Sequence, residues 1–325
     1  MADRISIRLA AGSGVTFGVD DLSCAAATTL GCWADQGLDV TWTPVHGGVA
    51  AANAVINGDV DVGYGGLGPA ISARANGASI RVVVSMARGL AQNLIVQNRY
   101  KTTDQLKGVS WALDGFGALS HHMARLTVAA LGINETEIDW QAIGPPPERI
   151  ELLLADKIDV SLIRVEEALS LARSHPDTLH ILLGFSDLKK LVPVQPHGVL
   201  TCLDSYEQAN PEALRRLAAG MISASRALHN DYQAFRKVYD THVSIPLPDD
   251  AIETIWRQEV ETGGFAINGG LGVDHWKNQM SLYAGLNPDL PTVSRDDLIA
   301  GEFVASALER LGIESLEIDA PPDAA

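Results

Sequence analysis

The sequence predicts an α/β fold of two lobes, each a mostly parallel sheet flanked by helices, and three observations lead there. Residues 5–64 and 109–163 repeat one strand, helix, strand, helix, strand pattern. Apolar strands separated by helices require parallel pairing, helices over both sheet faces and right-handed crossovers. A chain of 325 residues, 46% apolar and 20% charged, is long for one core and suits two lobes of roughly 100–200 residues each.

Each element follows from its residues. Ile5-Ser6-Ile7-Arg8-Leu9 alternates as a strand does and runs into Gly12-Ser13-Gly14; its counterpart, Val109-Ser110-Trp111-Ala112-Leu113, runs into Gly115-Phe116-Gly117. Alanine-rich helices follow and close at Gly37 and Gly132. The second strands, 38–42 and 137–140, are short β-branched or aromatic runs. Loops 45–48 and 143–147 then lead to helices over 49–56 and 148–154, with Pro147 suited to a helix start. The third strands, 60–64 and 158–162, follow Gly58-Asp59 and Asp156-Lys157. Residues 79–97 are expected to carry the chain out of the first lobe, and 101–108 form a polar entry to the second. Past Gly184 the pattern changes: 197–203 is the last clear strand, and helices follow at 211–228, 232–241, 249–261, 273–286 and 295–311. Asn210-Pro211-Glu212 gives the first of these a cap and a proline start. The expected division is therefore 1–100 for the first lobe, 101–200 for the second and 201–325 as a helical return to the first. Paired crossings near residues 100 and 200 would form a hinge that closes around a ligand. Residues 320–325 read as a frayed terminus.

Charge narrows the partners. Against 24 Lys and Arg stand 40 Asp and Glu, a formal net charge of −16, so a phosphate backbone or an anionic leaflet is repelled and nucleic acid is not expected. No window holds the ~18 uninterrupted apolar residues of a spanning helix, so no membrane insertion is expected. Cys24, Cys32 and Cys202 are odd in number and imply no disulfide framework. The first residues carry no basic n-region or apolar h-region. Location stays open: periplasmic if a leader has been removed, cytoplasmic if the sequence is native.

The run His46-Gly47-Gly48-Val49-Ala50-Ala51-Ala52-Asn53-Ala54-Val55-Ile56-Asn57-Gly58-Asp59-Val60-Asp61-Val62-Gly63, then Gly65-Gly66-Leu67-Gly68-Pro69-Ala70, gives the chain a family resemblance. It resembles solute-binding proteins of the type II periplasmic-binding-protein fold, in the branch of nitrate, sulfonate, taurine and thiamine-pyrimidine-precursor binders. Asp104-Gln105-Leu106-Lys107-Gly108 and Leu152-Leu153-Leu154-Ala155-Asp156-Lys157-Ile158-Asp159 fit it too, and it covers most of residues 5 to 310. The resemblance implies a cleft between the lobes that takes a small organic solute bearing an acidic group, with no cofactor, and an ABC permease as partner. It extends to aryl-sulfinate desulfinases and thiamine-pyrimidine synthases. The alternative is therefore a cytosolic decarboxylase, desulfinase or hydrolase acting on a small organic acid.

Ligands of open parallel sheets sit outside the carboxyl ends of the strands, which selects the candidate residues. Gly12, Ser13 and Gly14, like Gly115 and Phe116, can offer backbone N–H groups to an anion at a helix N-terminus, or merely make a tight turn. Neither run has the third glycine of a dinucleotide fingerprint. His46, followed by Gly47, can donate to a ligand or act as a base near neutral pH, and is the catalytic residue of the enzyme alternative, with Ser13 or a cysteine. Ser120 reads as an N-cap. His121 and His122 point about 100° apart, so one at most faces the cleft, and metal binding is disfavoured because a histidine zinc pair needs i, i+4 spacing. Gly65 and Gly66 follow the third strand of the first lobe, and Arg164 and Glu166 follow that of the second. There a guanidinium suits a carboxylate and Glu166 an amine, unless Arg164 pairs with Glu166 or Glu167. Phe116, Tyr64 and Trp33 can stack on an aromatic ligand, with core packing the reading for Trp33.

Overall fold

Two five-stranded sheets organise the residues described by the computed structural model, which are 4–12, 17–192, 196–286, 289 and 291–314. The strands are β1 (Ile5–Ala11), β2 (Leu38–Pro44), β3 (Val62–Gly65), β4 (Ile80–Arg88), β5 (Gln92–Gln97), β6 (Ser110–Leu113), β7 (Asp139–Ala142), β8 (Val160–Arg164), β9 (Leu179–Leu183) and β10 (Pro196–Leu203). Between β1 and β4 lie α1 (Leu22–Thr29), α2 (Cys32–Asp35), α3 (Gly47–Ile56) and α4 (Leu67–Ala75). From β6 to β10 the chain forms α5 (Leu119–Ala130), α6 (Pro146–Leu154), α7 (Val165–Ser174) and α8 (Phe185–Leu191). After β10 come α9 (Asp204–Ala209), α10 (Pro211–Asn230), α11 (Tyr232–His242), α12 (Asp249–Glu261), α13 (Val273–Leu286), α14 (Arg295–Leu298) and α15 (Gly301–Leu311).

The sheets share one topology. Their orders are β2-β1-β3-β10-β4 and β7-β6-β8-β5-β9. In each, the first three strands are parallel and the fourth is antiparallel to both neighbours. Four of five strands thus share a direction, and the exception is the strand by which the chain enters that sheet from the other unit: β5 on the way out, β10 on the way back. The sequence pattern does not show this reversal, because direction depends on the end from which the connection arrives.

One unit holds the residues up to Gly89, those from β10 to Ser244 and those from Trp256 onward; the other holds Leu90 to the end of α8, and Ile245–Ile255. The boundary falls at Gly89 where residue 100 was expected, since β5 is already a strand of the second sheet. Residues 245–255 add a second excursion, so the chain passes between units four times where two passages were expected. In the first unit, α3 and α4 pack on β3, β10 and β4, while α10 and α15 pack on β4. Ile7, Leu9, Val62, Val84, Leu200, Leu217 and Met221 are fully buried there. Trp33 belongs to this core, its indole N–H donating to Leu217 O at 3.2 Å. In the second unit alternate residues of each strand feed separate clusters. Leu94, Trp111, Leu113 and Val160 lie in one, Ile95, Ala112 and Ile163 in the other, so both sheet faces are covered.

Three local features depart from or explain the sequence pattern. The first helix is broken into α1 and α2 at Gly31, whose φ of +79° favours glycine, so Cys24 and Cys32 lie on different helices. The run 295–311 is split because Ala300 N–H donates to Val82 O at 2.9 Å and Ile299 bridges Val82, covering the outer edge of β4. The repeated aspartates before β3 and β8 are staples: Asp61 accepts Arg8 N–H at 2.8 Å, and Asp159 accepts Ser110 N–H at 2.8 Å. Burial would push Asp159 up, yet hydrogen bonds from Ser110, Tyr100 and Arg99 together hold it below the usual carboxylate range.

Candidate functional site

The carboxyl ends of β1, β2 and β3 are knitted by backbone. Gly12 N–H donates to Tyr64 O at 2.9 Å, Gly47 N–H to Gly12 O at 2.8 Å and Val45 N–H to Ala11 O at 3.0 Å. A Cβ on Gly12 would stand 2.7 Å from Tyr64 O, one on Gly65 2.7 Å from Gly48 Cα, and one on Gly48 3.0 Å from Gly66 N. These glycines therefore let strand ends and helix starts approach one another, the tight-turn alternative of the sequence pattern. Gly66, which caps α4, is open by contrast, with only Pro69 Cδ within reach at 3.7 Å. His46 precedes α3 in an extended conformation, and its side chain is exposed on this rim. Ser13 and Gly14 lie outside the described residues. Tyr64 is buried and its hydroxyl donates to the buried Asp21 carboxylate, so it is a core residue and not a stacking surface.

Beside this rim the first unit contains a cavity of about 340 Å³ lined by Ala11, Phe17, Ala25, Thr28, Trp42, Pro44 and His242. Ala11 and Pro44 end β1 and β2, Ala25 and Thr28 lie on α1, and His242 ends α11. Phe17 sits edge-on to Trp42, centroids 5.8 Å apart at 78°, and edge-on to His242 at 5.2 Å and 70°. Trp42 donates to Thr28 Oγ1 at 3.1 Å, and His242 Nε2 is hydrogen-bonded to Thr29 Oγ1 at 2.7 Å. Burial pushes the His242 pKa down, so the imidazole is neutral at pH 7, and none of the described lining residues carries a charge there. The volume lies within the range of small-molecule sites. Sequence reasoning missed Phe17, Trp42 and His242 as a group, because Thr29 and His242 are 213 positions apart. The available signal was Trp42 near the end of a strand that feeds His46.

In the second unit, the turn after β6 is open: a Cβ on Gly115 would meet nothing within 4 Å, and Phe116 is 67% exposed. Ser120 is not the cap of α5. Ala118 holds that position, and the buried Ser120 Oγ reaches back to accept Asp114 N–H at 3.0 Å, tying the helix to the strand end. His121 Nδ1 accepts Gly117 N–H at 3.1 Å, and its ring stands edge-on to Phe116 at 5.4 Å and to Trp140 at 5.6 Å. His122 points inward; burial lowers its pKa to about 4, with the nearby Arg125 cation acting in the same sense. Arg164 ends β8 and Glu166, two residues on in the first turn of α7, is buried. The guanidinium that organises this rim is one the sequence did not single out. Arg149 is buried and donates to Leu162 O at 2.9 Å, Ser161 Oγ at 3.1 Å and Asp114 Oδ1 at 3.0 Å.

Burial raises the thiols of Cys24, Cys32 and Cys202, which keeps them protonated. Among the described residues no group of three or more His, Cys, Asp or Glu is placed to hold a metal ion, and no helix is long and apolar enough to cross a membrane.

Residues 22–231 match the family described as NMT1/THI5 like. No curated protein sequence matches the chain. Among solved structures, a periplasmic sulfonate-binding protein from Methylobacillus flagellatus KT superposes with a TM-score of 0.70 at 18% identity, covering 97% of each chain. The periplasmic nitrate-binding protein of Synechocystis PCC 6803 gives 0.68 at 14% identity, over 98% of this chain and 92% of its own. A Candida albicans protein described as having the generic periplasmic binding protein fold gives 0.60 at 12% identity, over 94% of each. These likenesses establish the fold.

Proposed function

The chain belongs to the NMT1/THI5-like family, and on that premise we propose that it is the ligand-binding component of an ABC-type uptake system. It captures a small organic solute bearing an acidic group and hands it unchanged to a permease. The sulfonate- and nitrate-binding proteins that share its fold support this reading. The observation that carries it is the cavity of about 340 Å³ at the carboxyl ends of β1 and β2, the place where open α/β sheets hold ligands, with no reactive nucleophile among the described lining residues. Taken unit by unit, the candidate contact residues are His46 and Gly66 on the rim of the first unit, and Gly115, Phe116 and His121 at the open turn of the second. Gly12, Gly47 and Gly65 shape the rim on which those contacts stand, and Arg164 with Glu166 extends the rim of the second unit.

The test is to extract the purified protein for co-purified solutes, then incubate it with aromatic and aliphatic organic acids and follow each acid by mass spectrometry. Stoichiometric capture with the acid recovered intact is expected. Multiple turnovers of any acid, abolished by His46→Ala, would replace the binder with an enzyme.

A further inference from the structure

We propose that the first unit's cavity is a ring-binding site, so that the solute carries a flat aromatic group which docks against Phe17, Trp42 and His242. This rests on the ligand-binding reading above and names the chemistry of the ligand. The walls make the case. None of the seven lining residues is charged at pH 7, three carry aromatic rings, and the remainder are alanines, a proline and a threonine whose hydroxyl already accepts the Trp42 N–H. A small oxyanion buried there would lose its hydration with no cation to replace it. A planar ring loses little and gains the edge-to-face contacts that Phe17 already makes with Trp42 and His242.

The second unit gathers the same three ring types, in a different order, from different parts of the chain. Trp42 stands third from the end of β2 opposite Leu9, and Trp140 third from the end of β7 opposite Trp111. Each begins an edge-on chain of one phenylalanine and one histidine: Trp42 meets Phe17, which meets His242, and Trp140 meets His121, which meets Phe116. Yet His242 comes from α11 and His121 from α5. Trp140 packs against the core beside Trp111, but core packing does not account for Phe116, which leaves 67% of its surface exposed. The shared feature is aromatic surface offered at a sheet's carboxyl edge, and a ring is the group that uses it.

The experiment uses the full chain and two matched probe pairs, benzoate with cyclohexanecarboxylate and phenol with cyclohexanol, read by tryptophan fluorescence and ligand-observed NMR at millimolar concentration. The aromatic member of each pair is expected to bind about tenfold more tightly than its saturated partner and to change the tryptophan emission. Trp42→Ala should abolish that preference, while Trp42→Phe, which keeps a ring, should retain most of it. Equal binding of the saturated partners, no binding of either class, or an unchanged preference in Trp42→Ala overturns the ring site. The two readings fail separately. A saturated solute that co-purifies and binds one to one leaves the uptake-component reading intact and removes this inference, whereas turnover of an aromatic acid does the reverse.

Discussion

Tyr64 shows how much of this rim is held from within. Its hydroxyl is the donor to a buried carboxylate, Asp21, which also accepts Gly18 N–H at 3.3 Å. Tyr64→Phe removes that donor and is expected to cost about 1–3 kcal/mol, read as a lower urea midpoint with an unchanged slope. His122 gives a second expectation. Its folded pKa is about 4 against an ordinary value of 6.5, so between those values the unfolded chain binds more protons and stability falls as pH falls. The loss is up to about 3 kcal/mol, complete near pH 4 and absent above pH 7. Urea midpoints at pH 7 and pH 4.5 should differ less in His122→Leu than in the unaltered protein, and an identical difference would contradict this. That His121 and His122 point in different directions was readable from the helical repeat alone. The role of Ser120 was not, because its partner, Asp114 N–H, depends on where the strand ends relative to the helix.

At the scale of elements, the glycine pattern separates into positions that must stay bare and positions that need not. Gly65→Ala would drive a Cβ to 2.7 Å from Gly48 Cα, backbone that has nowhere to move, whereas Gly68→Ala, on α4, meets nothing within 4 Å. The first is expected to lose about 1–3 kcal/mol and the second to be neutral or slightly stabilising, both by urea denaturation. The repeat of strand, helix, strand, helix, strand was legible because apolar runs and glycine stops recur in order, and β1, β2, β3, β6, β7 and β8 lie within about two residues of their expected places. The antiparallel β5 and β10, the break at Gly31 and the capture of Ile299 by β4 were not legible. Each is decided by a neighbour remote in sequence, and so is the cavity, which α11 completes from residue 242.

For the whole molecule the dominant quantity is the net charge of −16. An acidic solute approaches against that field, so its association rate should rise with ionic strength as the repulsion is screened, the reverse of a basic-groove binder. Stopped-flow fluorescence in low and physiological salt measures this; a rate that falls with salt would place a local cation in command of the approach. The architecture itself is two sheets of one topology, each offering loops at its carboxyl edge, where open α/β sheets hold ligands.

The most direct measurement is native mass spectrometry of the chain mixed with an aromatic acid, before and after gentle denaturation. A single mass increment equal to the unaltered acid, lost in Trp42→Ala and recovered intact on release, is the predicted result. An increment of any other mass, or acid converted in excess of protein, would contradict capture without chemistry.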